Sequence, residues 1–471
     1  MNNRLIGTFI SASFFILISA FDAAYNLEIE IFNFLILSNI FFLLLQHILN
    51  KKITFELFFI SFIILFIFTK PIAGFLTGDS TKYLKIVLFN SIDFDASRTK
   101  LILSIYVLVA HIATFIGIAF DNSRQSKISN HENTIFNAES IGLVNNIILI
   151  TVFIIFIPIQ ISFVIFIFEN GYLALFNSDE FWGLSMRDLL TRTLYVCIPI
   201  RFILEINSNE STSKTLITIL TIFIISELLT GQRGHAVLLL VAMYIYYYLK
   251  TNEEIALIRL FFYGFLSLSV IFFIDIVRSS EVSGSFLITA LEGFGNPLNT
   301  HQIGFYFENE LRDLQNSYYS LYGINDYVDR VLNPALNEVY LTRSSELLEI
   351  SSYLGHKLTY LINYNSWLGG YGTASSFLLE LYIDFGLPVS IIVLSLLIVC
   401  FKFLENFVRN NSSILMSLIF ITFIQYLLFI PRGSISNFFP TLIFTLFVFL
   451  SIAISSLILQ RLKNLLNKIY T

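Results

Sequence analysis

The sequence predicts an all-α, polytopic transmembrane protein of about 12 spans (11–13) with a large external loop of short amphipathic helices. Three observations carry this reading. Of 471 residues, 56% are hydrophobic and only 13% are charged, against roughly 25% charged in an average soluble domain. The mean hydropathy is +0.77. Apolar runs of roughly 17–25 residues, the length that crosses about 30 Å of hydrocarbon, recur along the chain. The net charge of −5 decides little, because charge in a membrane protein acts by side rather than by sum. Residues 1–471 read as one polytopic membrane domain that includes an external cap loop at about 279–372.

The spans fall near 5–25, 28–48, 53–69, 101–120, 145–168, 188–205, 215–230, 235–249, 257–277, 387–404, 413–430 and 437–459. Arg4 opens the first, and with no small-residue cleavage site behind it the run is expected to stay as an uncleaved span. The run 188–205 is the weakest, since it contains Arg192 and Arg201. Pro388 suits the first turn of the span it enters. Cys197 and Cys400 both lie inside apolar runs, so no disulfide framework is indicated.

Twelve spans put both termini on one side. Alternate loops then hold Lys51, Lys52, Arg124, Lys127, Lys214, Lys250, Arg259, Lys402 and Arg409, and the tail holds Arg461, Lys463 and Lys468. Short basic loops belong in the cytoplasm, and both termini are expected there. Segment 70–100, with Lys70, Lys82, Lys85, Arg98 and Lys100, runs against the rule. Two short outer turns follow, TGQRGH (230–235) and PRGSIS (431–436), and the long insert joins them on the outer face.

The insert carries aromatic and aliphatic residues at helical spacing over 304–322 and 344–362, the pattern of short amphipathic helices lying over the spans. It holds ten Asp or Glu against four Lys or Arg, so nucleic acid is not a ligand. The chain shows no internal repeat that would point to an inverted-repeat transporter.

The expected outer face gathers the polar residues that can do chemistry. Arg233 lies between Gly231 and Gly234, where a phosphate can approach the backbone while the guanidinium forks onto its oxygens. It also precedes a helix whose N-terminal amides favour anions. The plain alternative is a snorkelling interfacial arginine. Arg432 repeats the pattern. Arg278 is either an anion ligand or the partner of Asp275 on one helix face. Arg192 lies nearer the outer face than Arg201, which snorkels or pairs with Glu205. His356 is the best proton acceptor in the region, against the alternative of a packing histidine. Glu380 and Asp384, four apart on one face of a short helix over 375–385, either hold sugar hydroxyls or cap and anchor that helix. Asn363, Gly372, Ser375, Tyr382 and His301 are further candidates for substrate contact. The chain has no HExxH, CxxC, Walker loop or GxGxxG. Asp93-Phe94-Asp95 is a DxD-like triplet of a kind that is frequent by chance, and no metal or other cofactor is expected.

The run WLGGYGTASSFLLELYIDFG (367–386), preceded by HKLTYLIN, resembles the signature of the bacterial O-antigen polysaccharide polymerases, the Wzy family. TGQRGH and PRGS resemble that family's two arginine turns. Leu387-Pro388 stands where the usual pattern has a second small residue. The resemblance implies a GT-C-like lipid-pyrophosphate glycan transferase of the inner membrane that works without metal. It would move a growing glycan from undecaprenyl pyrophosphate onto a hydroxyl of an undecaprenyl-pyrophosphate-linked repeat unit. Arg233 and Arg278, with Arg432 or Arg192, would neutralise the leaving pyrophosphate, and His356 would take the hydroxyl proton. A chain-length regulator protein is a further partner that the resemblance implies. The competing readings are an O-antigen ligase, a flippase or transporter, and a metal-dependent glycosyltransferase.

Overall fold

The structure, a computed structural model, describes residues 3–49, 54–79, 81–86, 92–122, 138–170, 183–208, 212–230, 233–251, 286–341, 344–369 and 372–470. The predicted span 257–277 and Arg278 lie outside them. The described chain is helical, and its one strand pairing is a two-residue ladder, Lys85↔Asp93 and Ile86↔Ile92. Seven helices among the described residues are long and apolar enough to cross a membrane. They cover the predicted spans 5–25, 28–48, 53–69, 101–120, 145–168, 387–404 and 437–459. The run 188–205 lies in a charge-bearing helix, Gly183–Asn207. The runs 215–230 and 413–430 form helices of 16 and 15 residues, and 235–249 one of 19.

Cα packing divides the chain into two compact units, one of Met1–Ser126, Glu253–Lys402 and Tyr426–Asn437, the other of Lys127–Asn252, Phe403–Gln425 and Phe438–Thr471. The first unit opens with α1 (Asn3–Tyr25), α2 (Ile29–Leu49), α3 (Phe55–Ile63), α4 (Thr69–Thr77) and α5 (Ala96–Asn122). A π-helical turn, Ile64–Phe68, joins α3 to α4 without a break. The span is therefore longer than its predicted 53–69, because the widened turn accommodates Pro71, which has no N–H to give.

Ion pairs that the sequence reading did not foresee hold this helix group. Lys402, assigned above to a loop, is buried in a helix with Nζ 2.6 Å from Glu56 Oε1. Arg4 lies 3.8 Å from Glu56 and 2.9 Å from Asp121. Gly117 makes room for the carboxylate, since a Cβ there would stand 2.0 Å from Glu56 Oε1. Charges in hydrocarbon persist only when paired in this way.

The insert folds into short helices: α10 (Phe286–Phe294), α11 (Asn296–Tyr306), α12 (Glu308–Asp313), α13 (Tyr322–Leu332), α14 (Leu336–Leu341), α15 (Ser345–Ile350), α16 (Leu354–Ile362) and α17 (Tyr364–Leu368). Helix α18 (Phe377–Phe385) then leads into α19 (Leu387–Asn410) through Gly386, whose φ of 78° favours glycine.

The second unit contains α6 (Ala138–Asn170), α7 (Gly183–Asn207), α8 (Lys214–Leu229), α9 (Arg233–Thr251), most of α20 (Ile414–Leu428) and α21 (Phe438–Tyr470). Ser213 caps α8 by accepting from Leu216 N. Arg201 pairs with Glu205 at 2.7 Å, one of the two roles expected of it.

Candidate functional site

In the first unit the start of α18 is built against the turn at 430–436. Phe377 N donates to Ile430 O and Gly433 O at 3.3 and 3.0 Å, and Ser376 Oγ donates to Ile430 O at 3.1 Å. Ser375 Oγ and Ser434 Oγ each lie 2.6 Å from one oxygen of the fully buried Glu380. Burial pushes this carboxyl up to about 8, against the opposing pull of the two serines. At neutral pH it is a protonated hydrogen-bonding group rather than a charge.

Helix α13 closes on the same turn. Gly323 N donates to Ser436 Oγ at 3.1 Å, and a Cβ on Gly323 would stand 2.7 Å from the Ser436 carbonyl carbon. Tyr322 accepts from Asn437 and packs on Tyr353 with ring centres 4.8 Å apart. Tyr353 in turn meets His356 edge-on at 5.0 Å.

His356 rests on buried Trp367, whose indole N–H donates to Nδ1 at 3.4 Å. The residue before it, Gly355, accepts from Thr359 and Thr373 at 2.7 and 3.2 Å, which clamps the 372–376 segment onto α16. A Cβ on Gly355 would stand 2.6 Å from Thr373 O, so the approach depends on glycine. One chain of contacts thus runs from His356 past Gly372 to Ser375, Glu380 and the turn that carries Arg432. Arg432 is half-buried, with its guanidinium 5.6 Å from the centre of the Phe66 ring.

The other candidates of this unit serve different contacts. Asn363 caps α17 by accepting from Ser366 N at 2.9 Å. Asp384 accepts from the amides of Tyr319 and Ser320 at 3.1 and 2.8 Å and from Gln315 at 2.7 Å. Tyr382 donates to Glu308 at 2.9 Å and stacks on Phe305 at 4.3 Å. His301 is buried with Nδ1 donating to Pro297 O and Nε2 accepting from Tyr106, each at 2.7 Å. Burial drops this imidazole to about 4, so it is neutral.

In the second unit Arg233 is the first residue of α9. Arg192 is exposed on α7, and its charge is within reach of His235. Sequence reasoning missed a further arginine there. Arg187 is completely buried, 2.7 Å from Glu227 and 2.8 Å from Gln160 Oε1. Its sequence signal was Glu227, a carboxylate set among apolar residues just ahead of the 230–235 turn. Among the described residues no group of three or more His, Cys, Asp or Glu is placed to hold a metal ion. Asp95 of the DxD-like triplet accepts from Ser97 N at 2.9 Å.

Long apolar helices with a polar, glycine-dependent site on a helical insert define a polytopic all-α membrane protein. The family model for O-antigen polysaccharide polymerase Wzy matches residues 8–463, and the chain belongs to that family. Membership gives it a glycosyltransferase-type activity on lipid-linked oligosaccharide in a membrane. No curated protein and no solved structure matches the chain.

Proposed function

We propose that this protein polymerises O-antigen repeat units at the periplasmic leaflet of the bacterial inner membrane, with both termini in the cytoplasm. The acceptor hydroxyl attacks the anomeric carbon of the growing glycan. A glycosidic C–O bond forms, the bond from that carbon to the phosphate oxygen breaks, and undecaprenyl pyrophosphate leaves. The observation that carries this reading is the family match along residues 8–463. Arg233, Arg278, Arg432 and Arg192 are assigned to the pyrophosphate, where positive charge meets charge developing on the leaving group.

His356 is assigned as the proton acceptor. A general base needs a lone pair facing its substrate, and Trp367 N–H occupies that of Nδ1 at 3.4 Å. That hydrogen bond is long and weak. A sugar hydroxyl can displace it, and catalytic hydrogen bonds commonly tighten only when substrate is bound. Glu380 and Asp384 are assigned to hold the shape of the site, since their oxygens already bond serines, amides and Gln315.

The test is reconstitution of the purified protein with undecaprenyl-pyrophosphate-linked repeat unit. Polymer is expected from the wild type, and none from Arg233→Ala or His356→Ala present at equal levels in the membrane. Near-normal ladders from both variants would sink the site. Transfer of glycan to lipid A core without polymerisation would identify a ligase instead.

A further inference from the structure

Asp326 is a buried carboxylate in the middle of α13, within the first unit, and the site as described so far makes no use of it. Both of its oxygens are turned to the link between α15 and α16. Ser351 Oγ donates to Oδ2 at 3.0 Å, and Ser352 N donates to Oδ1 at 3.4 Å. Ser351 and Ser352 are themselves buried. The neighbouring Asn325 supports the same link, since its amide donates to Ser317 Oγ at 3.1 Å and Ser317 bonds the Ser352 hydroxyl.

These contacts converge on Tyr353, the N-cap of α16. Its amide donates to Ser351 Oγ at 3.1 Å, and its carbonyl accepts from His356 N at 3.0 Å. Its ring stands edge-on to the imidazole of His356, at 5.0 Å and 88°. Tyr322, four residues before Asp326 and so on the same face of α13, packs on the other side of that ring. One helix face therefore holds Tyr353 twice, by its ring through Tyr322 and by its backbone through Asp326 and Ser351. The Asp326 carboxylate also acts on the buried ammonium of Lys357, the residue that follows His356.

We propose that Asp326 is a positioning residue: through Ser351 and Ser352 it fixes Tyr353, and through Tyr353 it sets the orientation of the His356 imidazole toward the acceptor hydroxyl. A staple that only held the insert together could bond α15 or α16 anywhere along their length. Asp326 instead bonds the link that leads directly into the first turn of α16, where His356 sits. A carboxylate suits the task because it offers two acceptor oxygens, one for a hydroxyl and one for an amide, and has no proton to donate when ionised. The inference rests on the assignment of His356 as proton acceptor made above.

The test uses the full-length protein in nanodiscs with undecaprenyl-pyrophosphate-linked repeat unit, and compares Asp326→Asn with the milder Ser351→Ala. Asp326→Asn keeps the volume and one acceptor oxygen, and Ser351→Ala removes only the hydroxyl between Asp326 and Tyr353. In each, kcat is expected to fall about tenfold while KM stays within about twofold, the signature of a misplaced catalytic group. A second readout needs no turnover: the rate at which diethyl pyrocarbonate modifies each histidine, resolved by mass spectrometry. The rate at His356 is expected to change by about threefold or more as its orientation is lost. His301, buried in the same unit, is expected to stay protected. Reactive His301 in both variants would mean that Asp326 holds the unit together as a whole, and would overturn the positioning role. So would an unchanged kcat, or an unchanged rate at His356, in either variant, with His356→Ala still inactive. Normal turnover in His356→Ala overturns the proton-acceptor assignment itself and the positioning role with it.

Discussion

Ser434 Oγ lies 2.6 Å from Glu380 Oε2, which ties the turn carrying Arg432 to a helix 54 residues earlier in the chain. With Ser375 on the other oxygen, the carboxyl group is fully bonded in a site that water does not reach. A buried polar group costs more when it loses a partner than a typical hydrogen bond contributes. Ser434→Ala is therefore expected to destabilise the first unit by roughly 1–3 kcal/mol. Glu380→Gln, which keeps both contacts with an amide, is expected to cost less. Thermal unfolding of the detergent-purified variants orders them, and a Ser434→Ala protein as stable as wild type would refute the clamp.

The same carboxyl group sets a pH dependence. Burial raises Glu380 from 4.5 to about 8 and Asp326 from 3.8 to about 6. A group raised on folding stabilises fully below its unfolded pKa and loses that contribution as pH climbs through the folded value. Glu380 therefore favours folding less and less between pH 4.5 and about 8, and Asp326 does so between 3.8 and about 6. Wild-type Tm is expected to fall from pH 5.5 to pH 8.5, with a shallower fall in Glu380→Gln. Parallel Tm–pH curves for the two proteins would remove Glu380 as the source.

Composition and run length were enough to place the seven long apolar helices, because a membrane demands about 20 apolar residues whatever their order. The sequence was less explicit where polar atoms decide. Lys402 looked like loop charge and is a buried partner of Glu56, a pairing across hundreds of residues that no local pattern encodes. Asn363 and Asp384 stood out for being polar in an apolar chain, and the structure has them capping helices and receiving backbone amides. His356 and Glu380 lie close in sequence, yet their link through Gly355, Thr373 and Ser375 needed the fold. Arg187 passed unnoticed because it sits at the edge of an apolar run, where an arginine ordinarily reaches water.

The Glu56–Lys402 pair gives a sharper contrast than a surface salt bridge. Lys402→Met takes from the buried Glu56 carboxylate the ammonium 2.6 Å away and leaves Arg4 at 3.8 Å. Breaking a buried pair from one side costs roughly 3–5 kcal/mol, whereas replacing both partners by apolar groups is often nearly neutral. Lys402→Met is expected to lower Tm strongly, and Lys402→Met with Glu56→Leu is expected to restore most of it. A double variant as unstable as the single one would show that the pair contributes more than mutual neutralisation.

Sidedness is the last expectation, and the structure supplies the probes for it. Ser434 lies too deep to label, so the reporters belong on exposed positions. Leu332 at the end of α13 is 78% exposed and Leu465 in α21 is 57% exposed. Of the two native cysteines Cys197 is buried and Cys400 exposed, so Cys400→Ser supplies a quiet background. If the basic loops and tail face the cytoplasm, Leu332→Cys reacts with an impermeant maleimide added to spheroplasts. Leu465→Cys then reacts only after the inner membrane is opened. The reverse pattern would put the helical insert in the cytoplasm, on the wrong side for polymerisation at the periplasmic leaflet, and the proposed function would fall with the orientation.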